Sequence, residues 1–282
     1  MKNEHYPNET YFSVLAAQAG EIMRKNFCLG MERTSKDDNT PVTASDTAIN
    51  QLVIDSIRRD FPHVRVIGEE GNYDVADAEY TVLCDPVDGT IPFCRGIPIA
   101  TFVISVIKEN WPLAAVIYDP FMSRMWSATR GQGALLNGKP VRVSTHAELK
   151  GTNACLLFWH GSEFNLYAVC HMLMEAGVTW GNPLTVAYYG GLLASGEQDA
   201  IIFPGRKGWE TAAMQLLATE AGGKATDIYG KPLQYGPNGE IKGHIISNGL
   251  IHDRLVEMTT RAAEMKGWEQ VTEIIRGTSL PG

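Results

Sequence analysis

Val82-Leu83-Cys84-Asp85-Pro86-Val87-Asp88-Gly89-Thr90 opens as an apolar strand and closes on two acids, a glycine and a threonine. Read from the residues, the strand ends at Cys84 and the next six positions leave it as a turn. Pro86 fixes the backbone just after the first acid, and Gly89 permits a sharp bend. A turn of that kind aims the Asp85 and Asp88 carboxylates and the Val87 carbonyl inward together, an all-oxygen set of the sort a hard cation such as Mg2+ takes. Upstream, Ile67-Gly68-Glu69-Glu70 repeats the pattern of strand, glycine and two acids. Clustered carboxylates repel one another, so without a cation they raise each other's pKa and cost stability. Removing the charge of Asp85 or of Asp88 is therefore expected to leave folding intact. Gly89 and Thr90 add what a phosphate needs: backbone N–H groups for its oxygens and a hydroxyl that can orient water. Farther on, Trp209-Glu210-Thr211-Ala212-Ala213 sets an acid at the start of a helix, where it serves either as a helix-terminus charge or as a further ligand.

Around these acids the chain carries clear helix and strand signals. Phe12, Leu15, Ala16, Ala19, Met23 and Phe27 fall on one stripe and predict a helix over 8–29. Ile49, Leu52, Val53 and Ile57 predict a second over about 43–61, stopped by Pro62. Residues 64–67, 81–84, 101–108, 113–118 and 141–143 read as strands, with turns at 109–112 and at Asn137-Gly138. Beyond Ser144, strands at 154–158 and 200–203 alternate with helices at 164–176, 186–195, 209–221 and after His252. The expectation is an α+β first half, 1–147, carrying the acidic loops, and an α/β second half, 148–282, closing the substrate site.

With 282 residues, 44% hydrophobic and 20% charged, the chain can bury a sizeable core and is neither disordered nor a disulfide scaffold. No apolar run approaches the ~20 residues of a membrane span, and the N-terminus lacks the apolar core of a secretory signal. The five cysteines are scattered without a C-x-x-C pair, which fits a reducing compartment. A net charge of −8 argues against nucleic-acid or anionic-membrane partners. The expectation is a soluble, cytoplasmic protein. The stretch from Gly133 to Pro140 approximates a phosphate-binding loop, but Pro140 replaces the hydroxyl residue that would hold magnesium, so a hairpin turn at Asn137-Gly138 is the better reading.

Taken together, Gly68-Glu69-Glu70, Asp85-Pro86-Val87-Asp88-Gly89-Thr90, Trp209-Glu210-x-Ala212-Ala213 and Glu220-Ala221-Gly222-Gly223 resemble the motifs of the inositol monophosphatase superfamily, in the same order. Lys36-x-Asp38-x-Thr40-Pro41-Val42-Thr43-x-x-Asp46 is similar to that family's N-terminal signature. The resemblance implies a layered α-β-α-β-α sandwich and a Mg2+-dependent, lithium-sensitive phosphomonoesterase, often a homodimer, using two or three ions with Mn2+ as a substitute. It further implies Glu69, Asp85 and the Val87 carbonyl as ligands of a first metal, and Asp85, Asp88 and Glu210 as ligands of a second. Glu69 and Thr90 would position the attacking water, with Asp46 supporting Thr90. Phosphate and substrate would meet Asp88, Gly89, Thr90, Thr185, Phe203 and Glu210.

Three positions depart from the family pattern. Glu210 stands where aspartate is usual, and Ile91-Pro92 follows Thr90 where small or polar residues are common. Phe203 occupies the place of a glutamate that binds sugar hydroxyls in inositol-selective members, and a phenyl ring accepts no such bond. Two readings stay open at this point: an active phosphatase of a small phosphate monoester, or a weakly active or non-catalytic phosphometabolite-binding relative with an impaired second metal site.

Overall fold

The computed structural model describes residues 5–35, 41–158, 164 and 166–264. Lys36, Asp38 and Thr40 of the N-terminal signature lie outside the described residues. The first half comprises α1 (Glu9–Asn26), β1 (Thr34–Ser35), β2 (Pro41–Val42), α2 (Ala44–Asp60), β3 (Arg65–Gly68), β4 (Asn72–Tyr73), β5 (Thr81–Asp88), α3 (Thr90–Cys94), β6 (Thr101–Lys108), β7 (Trp111–Asp119), β8 (Arg124–Thr129), β9 (Ala134–Leu136) and β10 (Lys139–Val141). The second comprises β11 (Asn153–Leu156), α4 (Leu166–Glu175), β12 (Thr179–Gly181), α5 (Ala187–Ala194), β13 (Ala200–Phe203), α6 (Thr211–Glu220), β14 (Lys224–Thr226), β15 (His244–Ser247) and α7 (His252–Ala263).

Both N-terminal helices begin at capping residues. Asn8 accepts a hydrogen bond from the Tyr11 amide, and Thr43 closes a capping box with Asp46. An eight-stranded sheet runs β10-β9-β8-β7-β6-β5-β3-β4, and a five-stranded sheet runs β12-β11-β13-β15-β14. Strand alternation divides the large sheet cleanly. Phe102, Ile104 and Val106 of β6 face α1 and α2, whereas Val103 faces the other way, into a core shared with α5, α6 and the small sheet. The far face of the small sheet, with Leu156, Ile202 and Ile245, packs on α4 and α7. The layers are therefore helix, sheet, helix, sheet, helix, and the expected α-β-α-β-α sandwich is observed.

Helix composition follows the layer. α1 buries one stripe, as an outer helix does, whereas every residue of α6 from Thr211 to Ala218 is buried because sheets cover both its sides. The 147/148 division falls in the connection between the two sheets, while α5 and α6 of the second half share a core with the large sheet. Among the described residues no helix is long and apolar enough to cross a membrane.

Three local expectations change. β5 continues through Asp88 instead of ending at Cys84. The small sheet is only partly parallel: β11 pairs in parallel with β12 and β13, but β15 is antiparallel to both β13 and β14. And Thr90-Ile91-Pro92 begins the short helix α3, since a proline in the first turn costs no intrahelical bond. The Asn137-Gly138 turn appears as read, linking β9 to β10 with both residues at positive φ, 49° and 76°.

Glu220 shows why an acid sits at the end of α6, where the helix dipole disfavours it. Its two carboxylate oxygens each accept a backbone N–H, from Gly131 and Gly133, at 2.7 Å, tying the β8–β9 loop to the helix. Glu220→Ala should lower stability by about 1–3 kcal/mol in denaturant titration. An unchanged midpoint would show that the clamp contributes nothing.

Candidate active site

The acidic residues meet because β5 is bulged. Asp85 pairs with Val103 and Asp88 with Thr101, so three steps along β5 match two along β6. Residues three apart on a regular strand point to opposite faces; the extra residue at Pro86-Val87 returns Asp88 to the side of Asp85. Pro86 has no N–H to give the ladder, which makes it a natural bulge residue. The Asp85 carboxylate accepts the Val87 amide at 2.9 Å and holds the bulge. β3 runs parallel to β5 with Gly68 opposite Cys84, so Glu69 emerges beside Asp85, its amide bonded to the Cys84 carbonyl at 3.1 Å. A side chain at Gly68 would collide with Asn50 of α2, whose amide also holds the Gly71 carbonyl at 3.2 Å.

α6 brings the third acid. One carboxylate oxygen from each of Asp85, Asp88 and Glu210 lies within 4.8 Å of the other two, and all three residues are buried. Glu210 occupies the cap position of α6 but makes no side-chain cap hydrogen bond, and its Oε2 is buried without a hydrogen-bond partner among the described residues. Its own amide and the Trp209 side chain oppose the rise that burial gives the Glu210 pKa, so the carboxylate is partly satisfied at the helix start while Oε2 is left over for a further partner. Glu69 stands outside this trio but close enough that its charge raises the pKa of both Asp85 and Glu210. Burial first, then the neighbouring acids, pushes Asp85 and Glu210 well above the usual carboxylate range.

Asp46, at the start of α2, is fully buried, and desolvation pushes it up to about 6 against the pull of its bonds from Thr43. It connects to the site through Thr90, whose hydroxyl lies 3.3 Å from Asp46 Oδ1 and 2.9 Å from the Val87 carbonyl. A carbonyl oxygen has two lone pairs, so Val87 keeps one for a further partner. Gly89 turns the chain from β5 into α3 at φ 84°, and a Cβ there would stand 2.9 Å from the Thr185 Cβ.

Asp88 has partners that the sequence does not reveal. Its Oδ2 accepts the Thr185 hydroxyl, the Ala187 amide at 3.0 Å, the Tyr188 amide at 3.4 Å and the Thr101 hydroxyl at 3.3 Å. Its Oδ1 accepts the Val186 amide at 3.1 Å. The carboxylate thus caps α5, whose own cap residue, Val186, has no side-chain oxygen. Burial raises the Asp88 pKa while these donors oppose the rise.

A model of the inositol monophosphatase family matches residues 8–264. The chain belongs to that family. The Nus factor SuhB of Escherichia coli strain K12 is 32% identical over 245 residues, 82% of this chain and 87% of that protein. A histidinol-phosphatase of Mycobacterium tuberculosis is 31% identical over 252 residues, 86% of this chain and 94% of the relative. Among solved structures, the Thermotoga maritima IMPase has a TM-score of 0.79 at 25% identity, covering 92% of this chain and 98% of its own. The inositol monophosphatase of Anabaena has a TM-score of 0.77 at 27% identity, covering 92% and 99%. This family member is an enzyme, a phosphatase of phosphate monoesters, and its buried acids are compatible with a divalent metal.

Asp46, Glu69, Asp85, Val87, Asp88, Gly89, Thr90 and Glu210 gather at this one place. Two further expectations are corrected. Thr185 is fully buried with its hydroxyl bonded to Asp88, so it does not present that hydroxyl to a substrate. Phe203 is 7% exposed, its ring against Gly205 and edge-on to His244 at 5.4 Å between centroids, which leaves little face for stacking. Sequence reading missed Thr101 and the Val186, Ala187 and Tyr188 amides as partners of Asp88; no local pattern marks amides 98–100 residues away.

Charge and burial together set two outcomes. A folded-state pKa above the unfolded value means that the folded protein binds more protons, so the stability gained is full at low pH and lost as pH rises through that value, about 6 for Asp46. The buried His244 and His252, pushed down to about 3 and about 4 by desolvation, act in the opposite sense over the same range. The acids' share is therefore read from the cation effect: in melting curves, a divalent cation should raise the melting temperature over EDTA more at about pH 7 than at about pH 4. An equal or smaller gain at the higher pH contradicts this. The two bulge acids should also behave differently. Asp85→Asn should leave cation-free stability unchanged or raised, whereas Asp88→Asn should cost about 1–3 kcal/mol by placing an amide N–H2 against the donors that cap α5. Equal effects in denaturant titrations would mean that the cap is not significant.

Proposed function

We propose that this chain is a Mg2+-dependent phosphatase that hydrolyses a small phosphate monoester, sugar-, inositol- or amino-alcohol-linked, by attack of water on phosphorus. The observation that carries the reading is the buried trio of Asp85, Asp88 and Glu210, with Glu210 Oε2 left without a partner. Three buried acids that repel one another and one unsatisfied carboxylate oxygen fit a hard divalent cation with oxygen ligands. Asp85, Asp88, Glu210, Glu69 and the Val87 carbonyl would hold two or three ions, with Mn2+ as a substitute. Such ions supply positive charge that neutralises phosphate, acidifies water and stabilises the leaving alkoxide.

The remaining work belongs to the chain. The Gly89 and Thr90 amides hold phosphate oxygens. Thr90 donates its hydroxyl hydrogen bond within the pair of acceptors Asp46 and the Val87 carbonyl and turns a lone pair toward the attacking water, which Glu69 also orients and whose proton Glu69 takes. The water oxygen forms its bond to phosphorus as the bond to the leaving alkoxide breaks, and the alkoxide takes a proton from solvent. Phe203 offers no hydrogen bond to a polyol, which supports a leaving group not restricted to inositol. By analogy with its family we further propose a cytoplasmic homodimer, sensitive to lithium, and the net charge of −8 supports a reading without nucleic-acid or membrane partners.

Phosphate release from a panel of inositol, histidinol and nucleoside monophosphates and phosphoadenosine phosphate, with Mg2+, EDTA or Li+, tests this reading. Activity should vanish in EDTA and fall on the order of 10²-fold or more in Asp85→Asn, because several kcal/mol of charge stabilisation go with the ligand. Full activity in EDTA would overturn the mechanism, and a large kcat/KM preference for inositol phosphate would overturn the substrate assignment. Glu210 should make a looser ligand than aspartate, since Mg2+ demands near-ideal geometry at ~2.0–2.1 Å. Mn2+ should thus activate more strongly than Mg2+, and Glu210→Asp should narrow the difference. Wild-type kcat and Mg2+ affinity in Glu210→Gln would remove Glu210 from the ligand set.

A further inference from the structure

Asp88 makes more hydrogen bonds than a metal ligand needs, and they are divided unevenly. Four donors converge on Oδ2, among them the buried Thr185 hydroxyl and two backbone amides of α5, while among the described residues Oδ1 accepts only the Val186 amide. An ionised carboxylate has about two acceptor sites on each oxygen. Oδ2 is therefore saturated, and the one free site of the group is on Oδ1. Thr185 cannot shift easily, because its Cβ packs against Gly89 at a point where even a methyl group would not fit.

We propose that Thr185 is a positioning residue that divides the Asp88 carboxylate, Oδ2 for the N-terminus of α5 and Oδ1 for the cation, so that cation binding and the docking of α5 are linked. The proposal rests on the reading of Asp88 as a cation ligand. Three things follow from the geometry. Asp88 would offer a cation one oxygen, Oδ1. The first amides of α5 have their acceptor on a strand of the other half of the chain, so the metal site is assembled only when α5 is docked on the large sheet. And a cation that fixes Asp88 also fixes the acceptor of those amides, which links the two equilibria in both directions.

The test measures binding and exchange as well as activity. Calorimetric titration of the full-length, cation-free protein with Mn2+ should show about tenfold weaker affinity in Thr185→Val, the scale of loss when a ligand's hydrogen-bond partner is removed, and near wild-type affinity in Thr185→Ser. Amide hydrogen exchange of the segment 185–192 in the wild-type protein should slow when Mn2+ is added, a readout that needs no variant to fold. A purely structural role for Thr185 predicts reduced thermal stability in Thr185→Val with unchanged Mn2+ affinity and no cation effect on exchange in α5, and that result overturns the proposal. If the wild-type protein binds no Mn2+, the metal reading of the site falls and this inference with it. If it binds Mn2+ and Thr185→Val binds it equally well, only the inference falls.

Discussion

On a regular strand Asp85 and Asp88 would lie on opposite faces of the large sheet, one among the acids and the other among the side chains of α1 and α2. The one-residue bulge at Pro86-Val87 prevents this and sets both carboxylates on the face that meets α5 and α6. Most of the site depends on that displacement. It aims the Val87 carbonyl at Thr90, delivers Gly89 to the tight turn against Thr185, and starts α3 at Thr90. The bulge is held by a proline that cannot join the ladder and by an aspartate that accepts the amide two residues ahead.

Gathering acids in a buried site is costly, and each one is compensated differently. Asp46 accepts the Thr43 amide and hydroxyl, and Asp88 accepts the start of α5. Asp85 has one backbone donor, and Glu210 Oε2 has none. The gradient runs from acids satisfied by the protein, Asp46 and Asp88, to acids left for something else to satisfy, Asp85 and Glu210, whose oxygens converge with one of Asp88. An unsatisfied carboxylate oxygen in a low-dielectric site is tolerated in a native structure where a ligand or ion completes it.

The layers explain how acids so far apart in sequence come together. α5 and α6 are covered by sheets on both sides, so their termini are fixed by packing instead of being left to solvent. Trp126, fully buried in that same core, donates its indole N–H to Ser195 at the end of α5 at 2.8 Å, anchoring the helix at the end opposite Asp88. A rigid middle layer is what lets Glu210, at the first turn of α6, stand opposite a bulge on β5.

Much of this was legible in the sequence because its causes are local. Capping residues, the stripe on α1, the alternation on β6, the Asn137-Gly138 turn and the oxygen-rich run from Asp85 to Thr90 each express a preference of a few neighbouring residues, and the order of the acidic motifs sufficed to indicate the family. The sequence read the strand as ending at Cys84 because acids and a proline are poor strand formers; pairing with β6, which continues to Asp88 after β3 has ended at Gly68 opposite Cys84, overrode that preference. The resemblance implied Thr185 and Phe203 as substrate contacts, whereas packing buried the first on Asp88 and the second against His244 and Gly205. Which types of residue the site contains was determined by the sequence alone. Which oxygen of Asp88 remains free, and that Glu210 joins the trio, were decided by the docking of α5 and α6 on the large sheet, because hydrogen bonds across about a hundred residues leave no periodic trace in the chain that makes them.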